Sequence, residues 1–243
     1  MLRYLINFLY PPRCAACGLR LPLETARRVC TECIAQIEPV PHPVCAVCGI
    51  PLSSAVYRDG DWCIACRQAP PHFGQARAVA QYASRTDEDG QVVSSIIRRH
   101  KYGLDQSLAG ALAECIGDPL PLGDNNYDVV IPVPLHRARL HWRGFNQAAL
   151  LGAAIAQRLA RPLDAGTLVR TRATAPQTAQ DHRQRRLNVR RAFAVRRPQR
   201  VANRRILLVD DVMTTGATAD ECARTLLEAG ARRVDVLTLA RAI

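Results

Sequence analysis

The stretch "VDDVMTTGAT", residues 209–218, sets two carboxylates, Asp210 and Asp211, directly before a run of small and hydroxylated residues. Carboxylates at a strand end attract cations and hydroxyl donors, whereas backbone N–H groups at the start of a helix attract an anion. The N–H groups of Thr214, Thr215, Gly216, Ala217 and Thr218, following Met213, are expected to converge on a phosphate, with the three threonine hydroxyls as further donors. Gly216 has no Cβ, which lets a phosphate approach closely. Asp210 and Asp211 cannot bind that phosphate, but one sugar length away they can accept hydrogen bonds from a vicinal diol and help hold a hydrated Mg²⁺. One ligand with a 5-phosphate, a ribose diol and a metal-bound pyrophosphate satisfies every demand. An Asp N-cap before an ordinary Thr-capped helix explains less, because two carboxylates then stand unused at the end of an apolar strand.

The second chemical signature is cysteine. Eight of the ten cysteines form four Cys-x-x-Cys pairs before residue 67. "CAACGLRLP…CTEC" (14–33) and "CAVCGIPLS…CIAC" (45–66) repeat the same unit, with a glycine, Gly18 or Gly49, after each leading pair. Four thiolates match the tetrahedral preference of zinc and leave no open coordination position, so two structural zinc sites are expected; redox or iron–sulfur chemistry is the lesser alternative. The repeat favours Cys14, Cys17, Cys30 and Cys33 on one ion and Cys45, Cys48, Cys63 and Cys66 on the other. A cross-braced arrangement, joining the first pair with the third, stays open. Cys115 and Cys222 stand alone in helical patterns and read as small buried apolar residues.

Charge is concentrated in one segment. Residues 158–205 hold 14 arginines against Asp164 and Asp181, which is the whole net charge of +12, and Lys101 is the one lysine of the chain. Such a stripe fits a polyanion, either nucleic acid or a heavily phosphorylated small molecule; a solvated basic loop is the plainer alternative. Aromatics are 5% of the chain and the basic segment has only Phe193, so stacking on single strands has little support there.

The elements that must position these groups follow from periodicity. A turn-rich linker, "RQAPPHFG", closes the cysteine-rich part and sets expected domains at 1–72 and 73–243. Beyond it, strand-like apolar runs (76–83, 127–135, 205–212, 232–243) alternate with helical patterns (92–103, 106–117, 146–160, 217–231), the last capped by Gly230. That alternation predicts an α/β, doubly wound, mostly parallel sheet, whose ligands bind at the carboxyl ends of the strands. No apolar run approaches the length of a membrane span, and "MLRYLINFLYPP" lacks the features of a cleaved signal. A cytoplasmic protein without membrane insertion is expected, with that first segment as a short helix or cap.

The string "LLVDDVMTTGAT" resembles the phosphoribosyl pyrophosphate (PRPP) loop of type I phosphoribosyltransferases. Together with the tandem cysteine module, "VIPVPLHRARLHWRGFNQ" and "RTRATAPQTAQDHRQRRLNVRRAF", it makes the chain similar over nearly its full length to the competence protein F (ComF/GntX) family. The resemblance implies a phosphoribosyltransferase-like fold, PRPP and Mg²⁺ binding, and an association with DNA uptake or DNA use. It implies a pyrophosphate loop at Pro134, His136 and Arg137, and contacts from Arg143, Asn146 and Gln147, for which a plain helix N-terminus capped by Asn146 is the alternative. It also implies a lid carrying Arg170, Arg172, Thr174 and Gln177, with Asp210, Asp211 and Arg172 as the catalytic candidates. The implied reaction transfers phosphoribosyl to a nitrogen acceptor. Enzymes of this type that act on 6-oxopurines carry an acidic residue where Thr214 stands, which argues against a purine acceptor. A silent PRPP sensor that holds single-stranded DNA through residues 170–205, or a competence helicase or uptake protein, is the competing expectation.

Overall fold

The computed structural model describes residues 11–25, 27–82, 92–102, 108–116, 120–122, 126–173 and 182–242. The expected N-terminal helix within residues 1–10 lies outside them, as do Thr174 and Gln177.

Four apolar runs become a parallel sheet: β1 (Ala76–Tyr82), β2 (Val129–Pro132), β5 (Arg205–Met213) and β6 (Arg233–Ala242), in the order β1-β6-β5-β2. Successive side chains of a strand leave on opposite faces, and β5 uses both. Leu207 and Val209 enter one buried cluster with Ile96 and Ile97 of α3 (Val92–Tyr102), Leu112 of α4 (Leu108–Glu114), and Leu151 and Ile155 of α6 (Gln147–Arg158). Ile206 and Leu208 enter the other, with Cys222, Ala223 and Leu226 of α8 (Ala217–Glu228). Burial on both faces is what makes these strands read as unbroken apolar runs. β2 is shorter than its apolar run because Pro132 and Pro134 end the ladder, although the Val133 N–H still donates to the Val209 carbonyl at 2.8 Å.

Both edges of the sheet are covered. The cysteine module lies along β1: the Ala76 N–H donates to the Val47 carbonyl (2.6 Å), the Gln81 N–H to that of Glu38 (3.2 Å), and Pro39 bridges Ala80. Along β2, Val130 exchanges hydrogen bonds with Pro162 and Asp164. Unpaired edges invite association with other chains, and here both are used internally.

The two cysteine units sit on opposite faces of the sheet. Cys14, Val29 and Cys33 share the α3–α4 cluster, while Cys45, Val47 and Cys66 share the α8 cluster. Each unit closes with a one-turn helix, α1 (Thr31–Ala35) or α2 (Ile64–Gln68), whose N-cap is itself a cysteine, Cys30 or Cys63.

The arginine-rich segment, read above as one basic stretch, contains an antiparallel pair, β3 (Leu168–Arg170) and β4 (Phe193–Val195), with α7 (His182–Val189) between them. Strands of three residues among arginines leave no periodic signal to detect. Among the described residues no helix is long and apolar enough to cross a membrane.

Candidate functional site

Asp210 stands near the carboxyl end of β5, and β5 passes through Met213 into the turn at Thr214–Gly216, from which α8 begins. Asp210, Val212, Met213, the turn, Ala217–Ala219 and Thr238 of β6 line one concavity open to solvent. The predicted phosphate loop and the first carboxylate therefore share one cavity. Asp211 lies beside it, half-buried like Asp210, and the two carboxylates accept from the N–H groups of Asp211 (2.9 Å) and Val212 (2.7 Å) respectively. Thr215 Oγ1 accepts from the Ala217 N–H at 3.3 Å, which fixes the turn before the helix.

The fold itself also favours glycine at 216. Its φ is +80°, and a Cβ there would lie 2.6 Å from Met213 Cε, with the Phe73 ring at van der Waals distance. Met213 and Phe73 are buried beneath the turn, so the glycine lets the turn sit on its own support. Next to Phe73, the His72 N–H and Nδ1 both reach Asp220 Oδ1 (2.7 and 2.8 Å), tying the linker from the cysteine module to the first turn of α8.

The second predicted loop leaves β2 beside Val209. Pro134 is buried, His136 is half-buried, and its Nδ1 caps α5 (Arg137–Arg143) by accepting from the Ala138 N–H at 3.3 Å. Arg137 is exposed at the first position of that helix. His136 also bridges Arg170, which joins this loop to β3. The Arg170 guanidinium lies 5.4 Å from the centre of the Phe193 ring. Burial lowers its pKa from the ordinary arginine value, and Arg139, Asp210 and Arg172 are charges within electrostatic range of it.

Four of the expected ligand residues make contacts within the fold. Asn146 caps α6, accepting from the Ala148 N–H (3.1 Å) and donating to the Val133 carbonyl (3.0 Å). Arg143 is buried and donates to Gln147 Oε1 at 3.0 Å, also buried. Arg172 is exposed and donates to the carbonyls of Asn188 and Arg190 at the C-terminal end of α7, where a cation is favoured.

Thr238 gave no motif signal. It is 1% exposed, pairs in register with Asp210, and its hydroxyl has no hydrogen-bond partner among the described residues. The available hint was a lone hydroxyl inside the apolar run "VDVLTLA".

The cysteines pair sequentially, with the four Sγ atoms of each set within 4.8 Å of one another. Cys17–Cys30 and Cys48–Cys63 are 3.9 and 3.8 Å apart, close to the edge of about 3.8 Å in a tetrahedron with Zn–S bonds of about 2.3 Å, and too long for disulfides. Burial would raise the Cys14 and Cys45 thiols, but backbone N–H donors bring them down to about 6 and about 7. Cys33 and Cys66 are pushed up by burial and by their neighbouring sulfurs. A cation is what lets all four sulfurs of a set ionise together. The second site has two arginines beside it: Arg241 Nη2 lies 3.9 Å from Cys48 Sγ, and Arg77 Nη1 donates to the Ala46 carbonyl at 3.0 Å. Gly49 in its turn has φ +67°, and a Cβ there would meet the Ala76 carbonyl oxygen at 2.4 Å.

These features define a class. The model of the double zinc ribbon domain matches residues 5–67, and that of the phosphoribosyl transferase domain matches 146–243. The chain is 32% identical over 240 residues to DNA utilization protein YhgH of Escherichia coli K12, covering 96% of this chain and 98% of that protein. It is 31% identical over 241 residues to competence protein F of Haemophilus influenzae (95% and 97% covered) and 28% identical over 223 to competence protein ComFC of Bacillus subtilis (90% and 86%). The chain belongs to the competence protein F family, built from a double zinc ribbon and a type I phosphoribosyltransferase-like fold. Among solved structures it is similar to the glutamine PRPP amidotransferase of B. subtilis complexed with ADP and GMP (22% identity, TM-score 0.36, 65% of this chain and 29% of that one). An adenine phosphoribosyltransferase of Thermoanaerobacter pseudethanolicus is also similar (14%, 0.35, 61% and 84%).

Proposed function

We propose that the β5–α8 loop binds PRPP and that the protein transfers the phosphoribosyl group to a nitrogen acceptor, in a cytoplasmic setting linked to DNA uptake or DNA use. The observation that carries this reading is the single concavity shared by Asp210 and the Thr214–Thr218 turn. The turn's N–H groups would take the 5-phosphate, and Asp210 and Asp211 the ribose diol. Mg²⁺ bound with the pyrophosphate would supply charge neutralisation there, with the two carboxylates as its nearest anionic support. In the transfer, a nitrogen–C1 bond forms and the C1–oxygen bond breaks, its electron pair leaving with pyrophosphate and the proton passing from nitrogen to solvent. Arg170, beside His136 and within electrostatic range of Asp210, is better placed to meet pyrophosphate than Arg172, which would have to release the carbonyls of α7. Zinc in both four-cysteine sites and the division into domains 1–72 and 73–243 belong to the same reading.

A second reading, a PRPP-sensing accessory protein that holds single-stranded DNA or a helicase, is favoured by one observation. Trp142 is 66% exposed on α5, flanked by the exposed Arg137, Arg139 and His141. An exposed indole among cations suits a stacked base.

Titration of the metal-loaded chain with PRPP and Mg²⁺, followed by an acceptor screen for pyrophosphate release, separates the readings. Asp210→Asn/Asp211→Asn should weaken PRPP binding by about tenfold or more, the scale of a lost charged hydrogen bond. Undiminished binding in the double variant sinks the diol assignment. Acceptor-dependent release supports transfer, and tight binding without release on any base supports the sensor.

A further inference from the structure

Thr238 is unlike every other group around the loop. Its hydroxyl is buried and has no partner among the described residues, in a strand whose flanking residues, Leu237 and Leu239, are apolar. An unpaired buried hydroxyl opposes folding, and a valine of nearly the same shape would avoid that opposition. Folding therefore gains nothing from this oxygen. Its position is specific: Thr238 pairs with Asp210 across the β5–β6 ladder and shares the concavity with the first turn of α8, where an anion is favoured.

We propose that Thr238 is a ligand-binding residue whose hydroxyl donates a hydrogen bond, from strand β6, to a phosphate bound in the cavity it shares with the Thr214–Thr218 turn. The assignment rests on reading that turn as a phosphate site. A group left unsatisfied until the ligand arrives transfers its full hydrogen-bond energy to binding, because nothing in the free protein must be broken first. It also favours phosphate over a less strongly accepting group in the same place.

The test uses the full-length, metal-loaded protein and four forms: wild type, Thr238→Val, Thr238→Ala and Thr238→Ser. Melting temperature is measured without ligand, and affinity by calorimetry with ribose 5-phosphate and with inorganic phosphate. The expected result is that Thr238→Val melts at or above the wild-type temperature yet binds both probes about tenfold more weakly. Thr238→Ala should lose the same affinity, and Thr238→Ser, which keeps the hydroxyl, should retain it. Wild-type affinity in both Thr238→Val and Thr238→Ala overturns the proposal, as does a loss that Thr238→Ser shares fully, since the methyl group would then be what matters. A loss confined to ribose 5-phosphate moves the hydroxyl to the sugar and overturns the phosphate assignment. If the wild-type protein binds neither probe, the failure lies with the phosphate site itself.

Discussion

Asp164 holds the base of the β3–β4 pair. Its carboxylate accepts from the N–H groups of Gly166 (3.0 Å) and Thr167 (2.9 Å) and from Thr167 Oγ1 (2.6 Å), with Arg200 at 3.6 Å. Burial alone would raise its pKa; these donors outweigh burial and hold it below the ordinary 3.8. A depressed carboxylate contributes stability that is present above the ordinary pKa and lost as pH falls through the folded value. Asp164→Ala should therefore destabilise the protein by about 1–3 kcal/mol at neutral pH. In thermal melts the gap between wild type and Asp164→Asn should shrink between about pH 6 and about pH 3, and a gap independent of pH would contradict the assignment. Gly216→Ala should cost about 1–2 kcal/mol from its positive φ, with a further loss from collision with Met213, read as a lower melting temperature. A melting temperature equal to wild type would show that the turn is free to move. The glycine was legible in the sequence; its packing was not, because Met213 and Phe73 meet beneath it from positions 140 residues apart. Thr238 was illegible for the opposite reason: one hydroxyl in a strand signals nothing until burial and the absence of a partner are known.

Between elements, the zinc ribbons act as part of the sheet. The Val47 carbonyl of the second ribbon accepts from the Ala76 N–H of β1, Arg241 of β6 reaches Cys48 Sγ, and Arg77 of β1 donates to the Ala46 carbonyl within electrostatic range of Cys45 and Cys48. Arg241 is 4% exposed, and its Nε and Nη1 have no hydrogen-bond partner among the described residues. Four thiolates around one Zn²⁺ carry a net charge of −2, which two adjacent arginines balance. Emptying this site leaves a buried guanidinium without its counter-charge; emptying the first leaves no such charge among the described contacts. Metal analysis should give about two zinc ions per chain, and Cys17→Ser and Cys48→Ser should each hold about one. Cys48→Ser should melt at the lower temperature of the two. The reverse order would show that the arginines do not depend on the metal. Strands β5 and β6 and helices α6 and α8 were legible because long apolar periods report burial directly. The β3–β4 pair was not, since its register comes from tertiary contacts with α8 and the loop after β2. The turn after β2 and Asn146 as a possible helix cap were legible, but α5 and its His136 cap were not; capping is a local use that competes with ligand contact for the same side chains.

Across the whole molecule, charge and cavity are separate features with separate readouts. The net +12 resides in residues 158–205, and Trp142 stands outside that segment on α5. If single-stranded DNA binds here, affinity must fall steeply with salt, and replacing Arg183, Arg185 and Arg186 by glutamine should flatten the slope of log K against log salt by about 2. Trp142→Ala should lower affinity at every salt concentration without altering that slope, measured by fluorescence anisotropy. An unchanged slope in the triple variant would mark the segment as a lid or a solvated surface. The central claim concerns the cavity, and the most direct measurement follows backbone amides by NMR while PRPP and Mg²⁺ are added to the ¹⁵N-labelled, metal-loaded chain. The amides of Thr214, Thr215, Gly216, Ala217 and Thr218 should shift together and saturate at one common affinity, with Thr238 shifting in step. Saturable shifts confined to the arginine segment or the zinc ribbons, with these five amides unmoved, would contradict it.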